Sequence, residues 1–327
     1  MDIGWRIPSY ARPTTTAEQS RRLVPYCKKV EEQGFKTIWV IDHLLVAPNV
    51  YSVAWQDPLI TLAVAAGATE SIGLGTAILC GPMRHPVMTA KMVASIDHMA
   101  GGGRFILGVG TGHDEREFNA LGLSKRERGK RTDEVLAVIR RLLTGDEVHY
   151  EGRFYNLDGV SIYPRPAKPI PIWIGGGSQV HMANNFDKPI MVPAVLERIA
   201  SHDGWICRSS GTDRDIIKRD VETVTARIAE DRNMDNFTVA HAQWIHVVDS
   251  TNRDKVIEEQ LNAYRSVMDD KRTDKDLQLA YLFGTVDELI ERIRSLEETG
   301  IQHLMFNPLS EDESQIDLFA KEILPNI

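Results

Sequence analysis

The sequence predicts an α/β fold of one kind, a closed (β/α)8 TIM barrel with insertions. Three observations carry that expectation. Eight short apolar runs recur along the 327 residues, and helix signals follow them. Most of the runs are nearly continuous in Val, Ile, Leu and Trp rather than alternating, as strands covered on both faces are. No linker rich in Ser, Pro or Gly and no low-complexity tract interrupts the chain, so residues 1–327 are expected to form one domain. With right-handed crossovers, eight such alternations have few solutions at this length. The closed barrel is the simplest, and a doubly wound open sheet is the alternative.

The strand-like runs are, in order, Ile3–Ile7, Thr37–Ile41, Ile72–Leu79, Arg104–Val109, Ile170–Ile174, Gly204–Cys207, Phe237–Val248 and His303–Phe306. Between them, Thr15-Thr16-Ala17-Glu18 and Thr285-Val286-Asp287-Glu288 fit a capping box, in which hydroxyl and carboxylate satisfy each other's orphan amides. After the second, Leu289, Ile290, Ile293 and Leu296 recur at helical spacing until Gly300 supplies a stop. Thr132–Leu143 repeats the pattern, and Ser310–Glu313 reads as the cap of a last helix running towards Leu324. A helix is also expected at Val195–His202. The run Leu59–Ala68 is apolar almost all round and wants burial on more than one side. Glu147–Pro169 is the weakest region for regular structure, and Gln179–Pro193 reads as a second irregular insert.

Composition excludes several classes. With 38 basic and 46 acidic residues the net charge is −8, and no Lys/Arg cluster offers a nucleic-acid or anionic-membrane footprint. The cysteines Cys27, Cys80 and Cys207 are odd in number and far apart, which fits neither a disulfide framework nor a zinc pattern and suits a reducing cytoplasm. The N-terminal stretch lacks the basic-then-apolar pattern of a signal peptide, and no apolar run approaches the ~20 residues of a membrane span. A cytoplasmic protein is expected.

In a barrel, chemistry gathers at the C-terminal ends of the strands. The second strand ends in Asp42-His43, a carboxylate and an imidazole able to handle a proton at a bound ligand, or else a loop cap beside a surface histidine. The third ends in Thr76-Ala77-Ile78, small enough for a planar ligand to approach the backbone or for a bulky neighbour to pack there. The fourth ends in Gly108-Val109-Gly110-Thr111-Gly112-His113. That is not a dinucleotide fingerprint, because His113 stands where the last Gly is needed. His113 is expected to point into the mouth. The fifth empties into Gly175-Gly176-Gly177-Ser178, whose amides and hydroxyl suit a phosphate, or form an ordinary turn. Asp114-Glu115-Arg116-Glu117 reads as a solvated helix start. Trp5, Arg6, Tyr10, Trp55, Trp244 and His246 are further candidates for the mouth. There is no metal-ligand spacing and no serine-nucleophile elbow.

Taken in order, WVIDH at Trp39–His43, LGTAIL and RHPV within Leu74–Val87, IDHMAGGGRFILGVGTG at Ile96–Gly112, REFNALG at Arg116–Gly122, Arg131–Glu134 and the Pro164–Gly177 segment resemble the bacterial luciferase-like monooxygenase superfamily. So do Asp203-Gly204-Trp205 and the terminal Gly284–Gly300 stretch, and the resemblance covers nearly the whole chain. It implies a barrel with inserts that binds FMN or a deazaflavin coenzyme of the F420 type in its mouth. By the same resemblance Thr76, Ala77 and Ile78 match the bulge behind the ring, often with a non-proline cis peptide. Asp42 and His43 match the acid–histidine pair beside the ring, Thr111 contacts the coenzyme tail, and Gly175, Gly176, Gly177 and Ser178 match the phosphate loop. The leading expectation is a two-component monooxygenase that takes reduced FMN from a separate reductase, reacts it with oxygen and oxidises a small organic substrate. His43 and Asp42 would serve as its acid–base pair, with His113 orienting the substrate. The alternative is a deazaflavin-dependent hydride-transfer enzyme, and a third class is a non-catalytic flavin-binding protein. The family's sugar-phosphate dehydrogenases carry a glutamate where His113 stands, which argues against that activity. A homodimer through about Asp57–Ala68 and Pro86–Ala100 is expected.

Overall fold

Each of the eight apolar runs becomes a strand of one sheet in the computed structural model, which describes residues 1–7, 9–12, 14–46, 51–178, 191–207, 214–268 and 272–327. The strands are β1 (Asp2–Arg6), β2 (Thr37–Val40), β3 (Gly73–Thr76), β4 (Phe105–Gly110), β5 (Ile172–Gly176), β6 (Gly204–Cys207), β7 (Thr238–Ile245) and β8 (His303–Pro308). All pair in parallel in the order β5-β6-β7-β8-β1-β2-β3-β4. Pairing of β4 with β5, with Leu107 opposite Ile172 and Val109 opposite Ile174, closes the ring. The open-sheet alternative is thereby eliminated, and the chain is a (β/α)8 barrel.

The third strand differs from its expectation. Rather than one run over Ile72–Leu79, it stops at Thr76, passes a non-proline cis peptide between Ala77 and Ile78, and resumes at Leu79–Cys80 beside Val109 and Gly110. Asp42 holds the far side of this break, accepting from the Cys80 amide at 2.9 Å.

Side-chain alternation splits the core into two shells. Trp5, Ile38, Leu74 and Leu107 point outward under the helices. Trp39, Trp173 and Met305 fill the barrel interior, joined by His303, whose ring centroid lies 5.4 Å from that of Trp39. Two strand glycines make room for that filling. A Cβ at Gly4 would stand 2.4 Å from Trp39 Nε1, and one at Gly75 would stand 2.2 Å from the Trp39 ring. The indole N–H of Trp39 donates to His303 Nε2 at 3.1 Å, and Thr37 Oγ1 lies 3.2 Å from the same nitrogen. Nε2 therefore carries no proton, since an indole only donates.

The helical predictions hold with shifts of a few residues. The first capping box is Thr16 with Gln19, one residue later than read, and opens α1 (Ala17–Arg21); α2 (Leu23–Glu32) follows. Asp57 caps α3 (Pro58–Ala68), and α4 (Pro86–Met99) lies against it. Downstream come α5 (Glu115–Ala120), α6 (Arg128–Thr144), α7 (Pro193–Ala200) and α8 (Arg214–Ala229). The Thr285–Glu288 box caps Val286–Glu297 as predicted, and the last helix starts at Ser314, whose amide donates to the Asp312 carboxylate of the Ser310–Glu313 stretch at 2.9 Å. Glu147–Pro169 corrects its reading: Val148–Glu151 and Asn156–Val160 form an antiparallel hairpin. Its turn is held by the Glu134 carboxylate, which accepts from the amides of Arg153 at 3.0 Å and Phe154 at 2.9 Å. Most of the Gln179–Pro193 insert, residues 179–190, lies outside the described residues.

Candidate active site

The C-terminal ends of β2, β3, β4, β5, β7 and β8 surround a cavity of about 290 Å3. One wall is apolar, with Ile41, Ala77, Ile78, Ala242 and Trp244; the polar groups His43, Thr111, His113 and Asn307 stand around it. Ile78 is wedged between two strands, because a Cβ at Gly110 or at Gly175 would come within 2.6 Å of its side chain. Those two glycines fix the back wall.

His43 sits just past β2 with a nearly buried side chain. Its Nδ1 lies 3.4 Å from Glu117 Oε1, and its ring meets Tyr51 edge-on at 5.2 Å and His113 perpendicularly at 5.6 Å between centroids. Burial, with the neighbouring His43 adding to it, lowers the pKa of His113, so its imidazole stays neutral to lower pH than a free histidine. Tyr51 is pushed up to about 12 by burial and remains a phenol.

Asp42 is committed elsewhere. Both of its carboxylate oxygens face Arg84, at 3.0 Å to Nη2 and 3.3 Å to Nε, and Oδ2 also takes the Cys80 amide. Arg84 in turn reaches Asp57 at 2.8 Å, tying the cap of α3 to the site wall. Asp42 therefore lines the cavity as an anchored ion pair, not as a free acid.

The sequence-derived residues divide accordingly. Asp42, His43, Ala77, Ile78, Thr111, His113 and Gly175 come together at the cavity. Thr76 lies in the wall behind, fully buried, its hydroxyl donating to the Gly108 carbonyl at 2.7 Å. Gly176 offers its carbonyl to Trp205 Nε1 at 3.0 Å. Gly177, with φ 146, is not among the residues that line the cavity. The amide of Ser178 donates to Asp220 at 2.7 Å and its hydroxyl to the other oxygen of that buried carboxylate, so neither donor stands open. Of the further candidates, Trp244 lines the cavity, with Arg6 stacked beneath it at 4.0 Å and on Trp55 at 4.8 Å. Trp5 faces the helices and bonds Tyr26, and His246 opens onto a separate crevice beside Arg12. The side chain of Tyr10 lies outside the described residues.

Asn307, Tyr51 and Glu117 are among the lining or supporting residues not singled out in the sequence. Asn307 closes β8 and is legible by the strand-end rule; Tyr51 lies in a stretch of sequence with no pattern. Glu117, read as solvated, is buried at 1% exposure because Asp114 caps α5 and Phe118 anchors it inward.

The cavity lies at the C-terminal ends of the strands, the face where barrel enzymes of many kinds carry their active sites. The chain belongs to the luciferase-like monooxygenase family, matching it over residues 1–303. It is 29% identical to the F420-dependent glucose-6-phosphate dehydrogenase of Beutenbergia cavernae, over 95% of both chains. Among solved structures it superposes on an F420-dependent secondary alcohol dehydrogenase in complex with an F420-acetone adduct with a TM-score of 0.80, 21% identity and coverage of 99% and 98%. A monooxygenase from Streptomyces bottropensis gives 0.79, 20% and 99% of both chains. At those identities the two structures share the fold.

Proposed function

We propose that this enzyme transfers a hydride between a deazaflavin coenzyme of the F420 type and a small organic substrate. The observation that carries this reading is the 29% identity, over 95% of each chain, with a relative named for that coenzyme. The order of the two expectations is thereby reversed: the deazaflavin reading leads, and a reduced-FMN monooxygenase with a partner reductase becomes the alternative.

The cavity suits the coenzyme's ring. A flat heteroaromatic system has an apolar face and polar edges, and the site sets Ala77, Ile78 and Trp244 beside His43, His113 and Asn307. When bound, a deazaflavin supplies two-electron hydride chemistry. The chain's own part is to orient and to handle one proton. His43 is the acid–base group at the substrate oxygen, and neutral His113 orients the substrate. Asp42 and Arg84 hold the wall, while Thr111 and Gly175 border the coenzyme; Thr76 supports that wall from behind. Phosphate contact at Gly175–Ser178 would fall to the amides of Gly176 and Gly177, since Ser178 serves Asp220. Among the described residues no Lys or Arg lines the cavity, and His113 replaces the sugar-phosphate enzymes' carboxylate, so an uncharged substrate fits better than a sugar phosphate. The enzyme acts as a cytoplasmic homodimer in this reading.

Titration of the purified chain with oxidised deazaflavin and with FMN, followed by fluorescence, tests the coenzyme. Deazaflavin is expected to bind and FMN to bind far more weakly. Tight FMN binding without deazaflavin binding overturns the proposal.

A further inference from the structure

Glu117 has no part in that reading, yet among the described residues it is the buried carboxylate that faces the proposed proton carrier. The capping of α5 by Asp114 and the fully buried Phe118 turn Glu117 inward. Its Oε1 accepts the Leu45 amide at 3.1 Å and faces His43 Nδ1 at 3.4 Å. Burial alone would push this carboxyl up, but the hydrogen bonds from His43 and the loop amides prevail and hold it below the ordinary glutamate value. It is ionised at neutral pH, and an ionised carboxylate only accepts.

An acceptor-only partner decides where a neutral imidazole keeps its proton. The other groups around His43 impose no competing choice. Tyr51 and His113 meet it through ring edges, and His113 in turn feels the charges of Glu117, Asp114 and Lys125. Asp42 is committed to Arg84 and the Cys80 amide. We propose that Glu117 is a positioning residue that fixes the Nδ1-protonated tautomer of His43, leaving Nε2 as the lone-pair atom that receives a substrate hydroxyl proton. Only the last clause rests on the hydride-transfer reading; the tautomer stands without it.

The test is long-range 1H–15N correlation of the imidazoles in the full chain, free of coenzyme, at pH 8.5, with His43→Asn assigning the signal. Wild type is expected to show a protonated Nδ1 and a bare Nε2. Glu117→Gln keeps that pattern, because the Leu45 amide points at the same atom and holds the glutamine oxygen, rather than its NH2, towards His43. Glu117→Ala removes the acceptor, and the Nδ1–H form falls from the dominant to the minor tautomer. A wild-type proton on Nε2 overturns the proposal even if no variant folds, and so does an unchanged signal in folded Glu117→Ala. Failure of wild type to bind deazaflavin in a parallel fluorescence titration would sink the functional reading while leaving the tautomer result intact.

Discussion

His43 is the residue on which the proposed chemistry turns, and its surroundings explain why. An imidazole can both accept and donate a proton through its ring nitrogens, whereas Asp42 beside it is spent on Arg84. Substituting His43→Ala should therefore lower turnover by roughly 10²–10⁴-fold, the range of a lost general acid–base group. Coenzyme affinity should move far less, because the apolar wall around Ile78 is untouched. Steady-state kinetics at saturating coenzyme decide this; activity within a few-fold of wild type removes His43 from the mechanism.

At the scale of elements, strand legibility followed burial. Runs covered on both faces, such as Thr37–Val40 and Gly204–Cys207, carry a continuous apolar signature and lie where the sequence puts them. The hairpin at Val148–Val160 was illegible because most of its residues stay partly or fully exposed, and its register depends on Glu134 reaching across from α6. The site shows the same division. Strand-end residues Asp42, His43, Thr111 and His113 could be named from position, while Glu117 could not, because its burial depends on how α5 docks. Nor does local sequence reveal that Asp220 on α8 takes the donors of Ser178. Gly108 in β4 is a sharper element-level constraint. A Cβ there would lie 1.9 Å from the Thr76 carbonyl oxygen, a backbone atom that cannot swing aside. Gly108→Ala should cost about 3 kcal/mol, the upper end of overpacking penalties. Urea denaturation measures it, and a loss below about 1 kcal/mol would mean that β3 and β4 shift apart easily.

For the whole molecule, acid is the predicted weakness. Burial lowers His241 and His303 to about 4, whereas an unfolded histidine titrates near 6.5. Between those values the unfolded chain binds more protons, so stability is full above about pH 6.5 and is lost as pH falls towards 4. The urea midpoint should drop between pH 7.5 and pH 5, and His303→Gln, which keeps an acceptor for Trp39, should shrink the drop. An equal drop in that variant would remove His303 from the account. Assembly belongs to the same scale. The outer faces of α3 and α4 leave Ile60, Val64 and Met88 exposed, an apolar surface that a second copy would cover. Light scattering at micromolar concentration should report a dimer, and Ile60→Glu should shift it to monomer. No helix among the described residues is long and apolar enough to cross a membrane.

The filling of the barrel by Trp39, Trp173, His303 and Met305 has a consequence for traffic. With the interior filled among the described residues, the proposed coenzyme and substrate would both enter from the strand-end side. Whichever lies deeper has to enter first and leave last, so the kinetics should be compulsory-order rather than random. Product-inhibition patterns would show this as competition confined to one product–substrate pair. Drilling a back exit, for instance by Trp173→Ala, should relax the order before it abolishes the chemistry.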